Sequence, residues 1–261
     1  MIEYLIVFNL SYYKTVGNEQ DIYGRRMFLT YSIKRGVTIL CLLMALGFVS
    51  SVMISLTDTD LSVASRFYVA CDRSNSWPAG KSHPFGFLYR YGEIPGIAMG
   101  ILALAGYALI RIGRLDRRYA KPFLVVILSV ILGPGLVVNG ILKEFWGRPR
   151  PADLQRFGST EQYRHFWDPG GKGTGKSFVC GHCAIAFSTC SVIAFYPIHS
   201  VAASVGLGAG LVYGGVVSLT RIVQGGHFTT DVVWSAVITL SIITILYYFV
   251  FRIPDQGDHQ L

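Results

Sequence analysis

Charge is what this sequence has least of. Asp, Glu, Lys and Arg together make up 15% of its 261 residues, against roughly 25% in an average soluble domain. Acidic residues are the scarcer sign, 15 against 23 Lys and Arg, for a formal net charge of +8. So little charge excludes an ordinary soluble domain, and no basic patch on a soluble module is present for nucleic acid to bind. Cysteine is also too sparse for a disulfide framework. There are five, Cys41, Cys71, Cys180, Cys183 and Cys190, and the first and last fall in apolar runs where a thiol is a small apolar side chain. No A-x-A-like site follows the first long apolar run, so that run is expected to act as a signal anchor rather than a cleaved leader. No long repeat or low-complexity linker divides the chain, and one domain over 1–261 is expected.

Apolar residues fill the space that charge leaves, at 52% of the chain with a mean hydropathy of +0.45. Runs near the length a bilayer needs, about 20 residues, lie at 36–56, 93–112, 122–142, 178–197, 199–219 and 232–251. Lipid offers no hydrogen bonds to bare backbone, so such runs span as helices. The expected fold is all-α, a polytopic membrane protein with about six transmembrane helices. Gly206, Gly210 and Gly214 recur every four residues, a spacing that lets helix backbones approach. Pro134, between Gly133 and Gly135, is expected to bend the third helix.

Basic residues set the expected orientation. Lys14, Arg25, Arg26, Lys34, Arg35, Arg111, Arg114, Arg117, Arg118 and Lys121 all fall on the side of the N-terminus. The positive-inside bias makes that side cytoplasmic, with the N-terminal segment 1–35 and the C-terminus on it. The protein is then expected in the inner (cytoplasmic) membrane, with the opposite side facing the periplasm or exterior. The net charge also suits contact with anionic lipid.

On that opposite side three short stretches close apolar runs: Lys143 to Arg150-Pro151, Cys180-Gly181-His182, and Arg221 followed by His227 and Asp231. Ionisable groups at such places are costly to keep and mark a functional site. Two other patterns lie beside them. Gly170 to Ser177 satisfies the P-loop pattern, but no buried strand precedes it and a membrane helix follows, so it reads as a glycine-rich loop over the membrane surface and no nucleotide is expected. Cys180-Gly181-His182-Cys183 has the letters of a thioredoxin-like redox pair without the βαβ setting that tunes its thiol.

Taken together, the three stretches suit a phosphate. Lys143, Arg150 and Arg221 could clamp its oxygens, Arg as a fork and Lys as a point charge. Arg148 is a further cation, and Glu93, at the end of the second run, could join it in touching a headgroup. His227 and Asp231 stand four apart on one helix face, where the carboxylate can keep one imidazole nitrogen protonated and free the other to attack phosphorus. His182 can protonate the leaving oxygen, and the helix start at Gly181 favours an anion. No metal and no cofactor is required.

These stretches, K-x6-R-P at Lys143 to Pro151, x-x-G-H at Val179 to His182 and T-R-x5-H-x3-D at Thr220 to Asp231, resemble the three-part signature of the type 2 phosphatidic acid phosphatase (PAP2) superfamily. The signature region covers 143–231. The resemblance implies phosphate binding by Lys143, Arg150, Arg221, Cys180 and Gly181, an acid at His182, a nucleophile at His227 oriented by Asp231, and a phosphorylated membrane lipid as substrate. It departs from the family where Val179-Cys180 replaces Pro-Ser and Thr220 replaces Ser, which puts a weak thiol donor in place of a hydroxyl. The Gly147 to Pro151 run and the aromatic connection 152–176 resemble bacterial lipid A phosphatases, with undecaprenyl-diphosphate and phosphatidylglycerophosphate phosphatases as alternatives. A transporter, or a disulfide-exchange membrane protein using Cys180 and Cys183, is the reading from another class.

Overall fold

The computed structural model describes residues 19–71 and 76–253, with side chains from residue 30 onward. Much of the expected cytoplasmic segment 1–35, and the C-terminus beyond 253, therefore lie outside the described residues. Helices dominate: α1 (Glu19–Leu56), α2 (Thr59–Ser65), α3 (Pro78–Lys81), α4 (Phe85–Tyr91), α5 (Ile94–Arg111), α6 (Ala120–Val130), α7 (Gly181–Ser188), α8 (Val201–Val223) and α9 (Thr229–Ile245). Among the described residues no strand forms, and Leu154 and Glu161 make an isolated bridge.

Among the described residues five helical rods are long and apolar enough to cross a membrane: Thr30–Leu56, Phe85–Arg111, Arg117–Phe145, Val201–Val223 and Thr229–Val250. The fourth of the six expected spans departs from the sequence reading. It is the shorter rod Gly181–Phe195, eight α-helical residues in α7 followed by seven wound as 3-10 helix. Its neighbours explain how a short rod suffices. It packs against α8, α9 and the far half of the α6 rod, and no residue along it is exposed. At 1.5 Å per α residue and 2.0 Å per 3-10 residue it reaches about 26 Å, close to the ~30 Å of a bilayer core.

Two sequence features shape this packing. Pro134 lies inside the α6 rod where its winding changes. The chain widens into a π-helix over Ile131–Leu142, and the Asn139 side-chain amide donates to the Pro134 carbonyl at 2.7 Å. Widening accommodates a ring that carries no N–H and crowds the preceding turn. The Gly206–Gly210–Gly214 face of α8 lies against the α7 rod: a Cβ on Gly210 would stand 2.7 Å from Cys190 Sγ, and one on Gly214 would run into the Phe187 ring. That contact draws the end of α8 towards the start of α7.

Beyond the helix ends, Trp77, Leu154, Phe157 and Phe228 form a small apolar core, with Tyr68 packed on it. The Trp77 and Phe157 rings meet edge-on at 5.5 Å. This core fastens the long connection 146–180 over one end of the bundle. The Ala152 amide completes the fastening by donating to the Gly225 carbonyl at 3.0 Å, in the α8–α9 loop.

Candidate active site

Three helix ends and the fastened loop bring the signature residues together. Lys143 closes the π-wound stretch, and its ammonium lies beside Gly181: a Cβ there would stand 2.9 Å from Lys143 Nζ and 2.7 Å from Asn139 Oδ1. A side chain at this position would push the ends of the Lys143 and Asn139 side chains aside. Arg221, in the last turn of α8, is buried; its Nη1 donates to Gln224 Oε1 at 2.6 Å and its guanidinium lies 4.7 Å over the Tyr89 ring. Arg150 is placed by its own backbone amide, which donates to Asp153 Oδ2 at 3.3 Å. Lys143 interacts electrostatically with Arg150, Arg221, Cys180 and Glu93, so these groups share one pocket of charge. Arg150 Nε and Arg221 Nε are buried and have no partner among the described residues.

His227 is almost fully buried, and its Nδ1 lies 2.6 Å from the Ser177 carbonyl oxygen. A carbonyl only accepts, so Nδ1 carries the proton and Nε2 keeps its lone pair. Asp231, which the sequence reading expected to orient the ring, also pairs with it, and the Ser177 carbonyl is a second and closer partner. Asp231 Oδ2 is 3.7 Å from Nδ1, because it already accepts from Ser177 Oγ at 2.6 Å and from the Phe228 amide at 2.8 Å. Asp231 thus faces the ring itself and also fixes Ser177, whose carbonyl meets Nδ1.

Arg148 is the clearest correction, since a side chain of 0% exposure cannot touch a headgroup. Its Nη1 donates to Asp231 Oδ1 at 2.6 Å and Thr230 Oγ1 at 2.7 Å, its Nη2 to Asp60 Oδ2 at 2.7 Å, and its Nε to the Arg164 carbonyl at 2.9 Å. The Phe228 ring lies 4.4 Å from the guanidinium carbon. Burial works against this charge, and Asp231 and Asp60 more than offset it, holding Arg148 protonated above its ordinary range. Asp60, in α2, also accepts from the Thr230 amide at 3.0 Å and so docks α2 onto the start of α9.

Cys180 caps α7, its Sγ accepting from the Cys183 amide at 3.3 Å, and it is buried beside His227. Burial raises the Cys180 thiol, while its hydrogen bond with Cys183 and the neighbouring His227 and Arg221 pull it further down, well below the usual thiol range. Burial likewise lowers His227, and Cys180 with Asp231 outweigh it and leave the imidazole above its ordinary value. Only a neutral imidazole has a lone pair to attack with, so any reaction that uses His227 as a nucleophile is lost as pH falls through that raised value. Cys180→Ser removes the negative partner and is expected to move the acidic limb of the pH–kcat/KM profile to lower pH; an unmoved limb would show that the thiol exerts no charge on His227.

His182 projects from the first turn of α7 with its Nδ1 3.2 Å from Glu93 Oε1, and Tyr89 stacks on its ring at 5.4 Å and 15°. Glu93 thus meets a histidine within the protein, where the sequence offered it as a headgroup contact. Lys143, Arg221, Cys180 and His227 all act on His182 electrostatically, which completes the gathering of the signature at one end of the bundle.

The comparisons with known proteins agree with this geometry. The model of the PAP2 superfamily matches residues 122–255, just over half of the chain and all three stretches. The chain belongs to the PAP2 superfamily. A lipid A 4'-phosphatase of Francisella tularensis subsp. novicida (strain U112) is 28% identical over 197 residues, 74% of this chain and 86% of that protein. A lipid A 4'-phosphatase of Rhizobium leguminosarum is 30% identical over 145 residues, 54% of this chain and 58% of that protein. No solved structure matches the chain. As a PAP2 protein with these relatives it is a multi-pass membrane enzyme, a lipid phosphatase acting on a phosphorylated lipid.

Within this PAP2 site the structure adds residues that the sequence did not single out. Asp60 and Ser177 hold Arg148, Asp231 and His227, and Tyr89 lies against His182 and Arg221. Ser177 was visible only as the end of the P-loop pattern, and that pattern has a structural use here. Thr174 Oγ1 donates to the Gly147 carbonyl at 2.8 Å, and Lys176 pairs with Glu144 at 2.6 Å on the surface. Cys183, the second thiol of the redox-like pair, is buried and in no disulfide.

Proposed function

We propose that this protein removes a phosphate monoester from a membrane lipid in two steps, without a metal ion, by way of a phosphohistidine. Lys143, Arg150 and Arg221 bind the phosphoryl oxygens, with the Gly181 amide at the start of α7 and the Cys180 position beside it. His227 Nε2 attacks phosphorus, the bond to the leaving oxygen breaks, and His182 gives that oxygen its proton. Water then attacks the phosphohistidine, His182 takes back a proton, and the P–N bond breaks to release phosphate. Charge on the equatorial oxygens grows during transfer, and fixed cations stabilise it.

One observation carries this reading. The Nε groups of Arg150 and Arg221 are buried donors with no partner among the described residues, both cations act on Lys143, and the nearby His227 imidazole has its Nδ1 committed to the Ser177 carbonyl. Buried donors of this kind call for an acceptor, and a phosphate supplies several. Asp231 and Arg148 orient from behind.

The relatives named lipid A 4'-phosphatase support lipid A phosphate as the substrate. The basic residues at the opposite end, among them Lys34, Arg35, Arg111, Arg114, Arg117 and Arg118, support an active site on the periplasmic face of the inner membrane, with both termini cytoplasmic. Purified protein in detergent with a chelator is expected to release phosphate from lipid A in preference to undecaprenyl diphosphate or phosphatidylglycerophosphate. Equal rates on the three lipids would refute the substrate assignment, and loss of activity with the chelator would refute the metal-independent route.

A further inference from the structure

We propose that Glu93 is the positioning residue of the catalytic acid, held in place with Tyr89 as a fourth active-site component that none of the three signature stretches contains. The inference rests on the reading of His182 as that acid. Its geometric basis is the contact of 3.2 Å between Glu93 Oε1 and His182 Nδ1, with the Tyr89 ring stacked 15° from parallel on the same imidazole.

Around His182 stand Arg221 from α8, Lys143 from the α6 rod, His227 from the loop before α9 and Cys180 at the start of its own helix. Glu93, at the N-cap of α5, brings a carboxylate into direct contact with the ring. A carboxylate on Nδ1 does two things: it stabilises the imidazolium, and it commits Nδ1 as the donor towards itself, so that Nε2–H is the bond presented to the leaving oxygen. Tyr89 limits rotation of the ring. Its own face carries the Arg221 guanidinium at 4.7 Å, so the acid and a phosphate-binding cation are registered on one aromatic plate.

The chain fixes this component from behind. Helices α4 and α5 are interrupted at Gly92-Glu93, and the Gly92 carbonyl accepts from Tyr213 Oη of α8 at 2.8 Å. The break therefore hangs from the helix that carries Arg221. Glu93 is only partly buried, at 32% side-chain exposure, so Glu93→Gln keeps the shape and leaves the bundle intact.

The test uses the purified full chain with phenyl phosphate and p-nitrophenyl phosphate, which are alike in size but differ in how much the leaving oxygen needs a proton. Acid assistance contributes roughly 10²–10⁴-fold where it is needed. Glu93→Gln is expected to lower kcat/KM for phenyl phosphate about tenfold more than for p-nitrophenyl phosphate, with KM nearly constant and the basic limb of the profile moved to lower pH. Glu93→Asp is expected to recover part of the loss on phenyl phosphate. Equal losses on both esters, or a raised KM with kcat kept, would overturn the inference and make Glu93 a packing or headgroup residue. His182→Ala, run alongside, separates the two levels. Leaving-group dependence in His182→Ala but not in Glu93→Gln overturns the Glu93 role alone, and its absence from both overturns the acid assignment itself.

Discussion

Arg148→Met is expected to destabilise the protein by about 3–5 kcal/mol, the usual consequence of removing one partner from a buried ion pair. The side chain is fully enclosed, and it alone separates the carboxylates of Asp60 and Asp231, which it meets at 2.7 and 2.6 Å. Without it two buried negative charges face each other, and the cheapest response is for one to take up a proton or for α2 to leave the start of α9. Either response releases Ser177 or Asp231 and slackens His227, so activity falls with stability. Arg148→Lys keeps the charge but loses the fork that reaches both carboxylates and the Arg164 carbonyl, and is expected to fall between the two. Thermal unfolding in detergent reads the effect directly, and an Arg148→Met protein with the parent's midpoint would show that the triad is not a stabilising clamp.

His227→Ala carries the other large effect, a loss of roughly 10⁴–10⁶-fold in kcat, on the scale seen when a nucleophile that acts as part of a unit is removed. Binding should survive, because Lys143, Arg150 and Arg221 stay in place. The decisive measurement is a trap: labelled substrate, quenched within a turnover, should leave acid-labile, alkali-stable phosphate on the parent protein and none on the variant. Label on His227→Ala, or full activity in it, would remove the phosphohistidine route. Asp231→Asn is a milder case. Its oxygens reach His227 only at 3.7 Å, and its nearer bonds run to Ser177 and Arg148.

These two residues mark where the sequence was legible and where it was not. His227 stood out because a chain with so few ionisable groups rarely places one at the end of an apolar run without use, and its spacing from Arg221 and Asp231 could be counted. The five long rods were legible for the same reason, since lipid imposes a length and a composition on each, while the fourth expected span proved shorter because protein surrounds it. Arg148 was not legible. It lies two residues from Arg150, and what distinguishes them is Asp60, 88 positions earlier in the chain, an acid like its neighbours after α1 until folding brings it to the guanidinium. Ser177 escaped because its contribution to His227 is a backbone carbonyl, which every residue has. Glu93 was noticed, but its partner lies on a different helix, and no local pattern connects them.

The short rod that carries Cys180-Gly181-His182 has a mechanical consequence. No residue of Gly181–Phe195 is exposed, so its height is set by the protein around it and not by contact with acyl chains. The longer outer helices take up any difference in hydrocarbon thickness by tilting, while the rod stays seated like a plug in a sleeve. The catalytic centre is then calibrated against its own scaffold, and the same distances from phosphorus to His182 and His227 should hold in thin and thick bilayers alike.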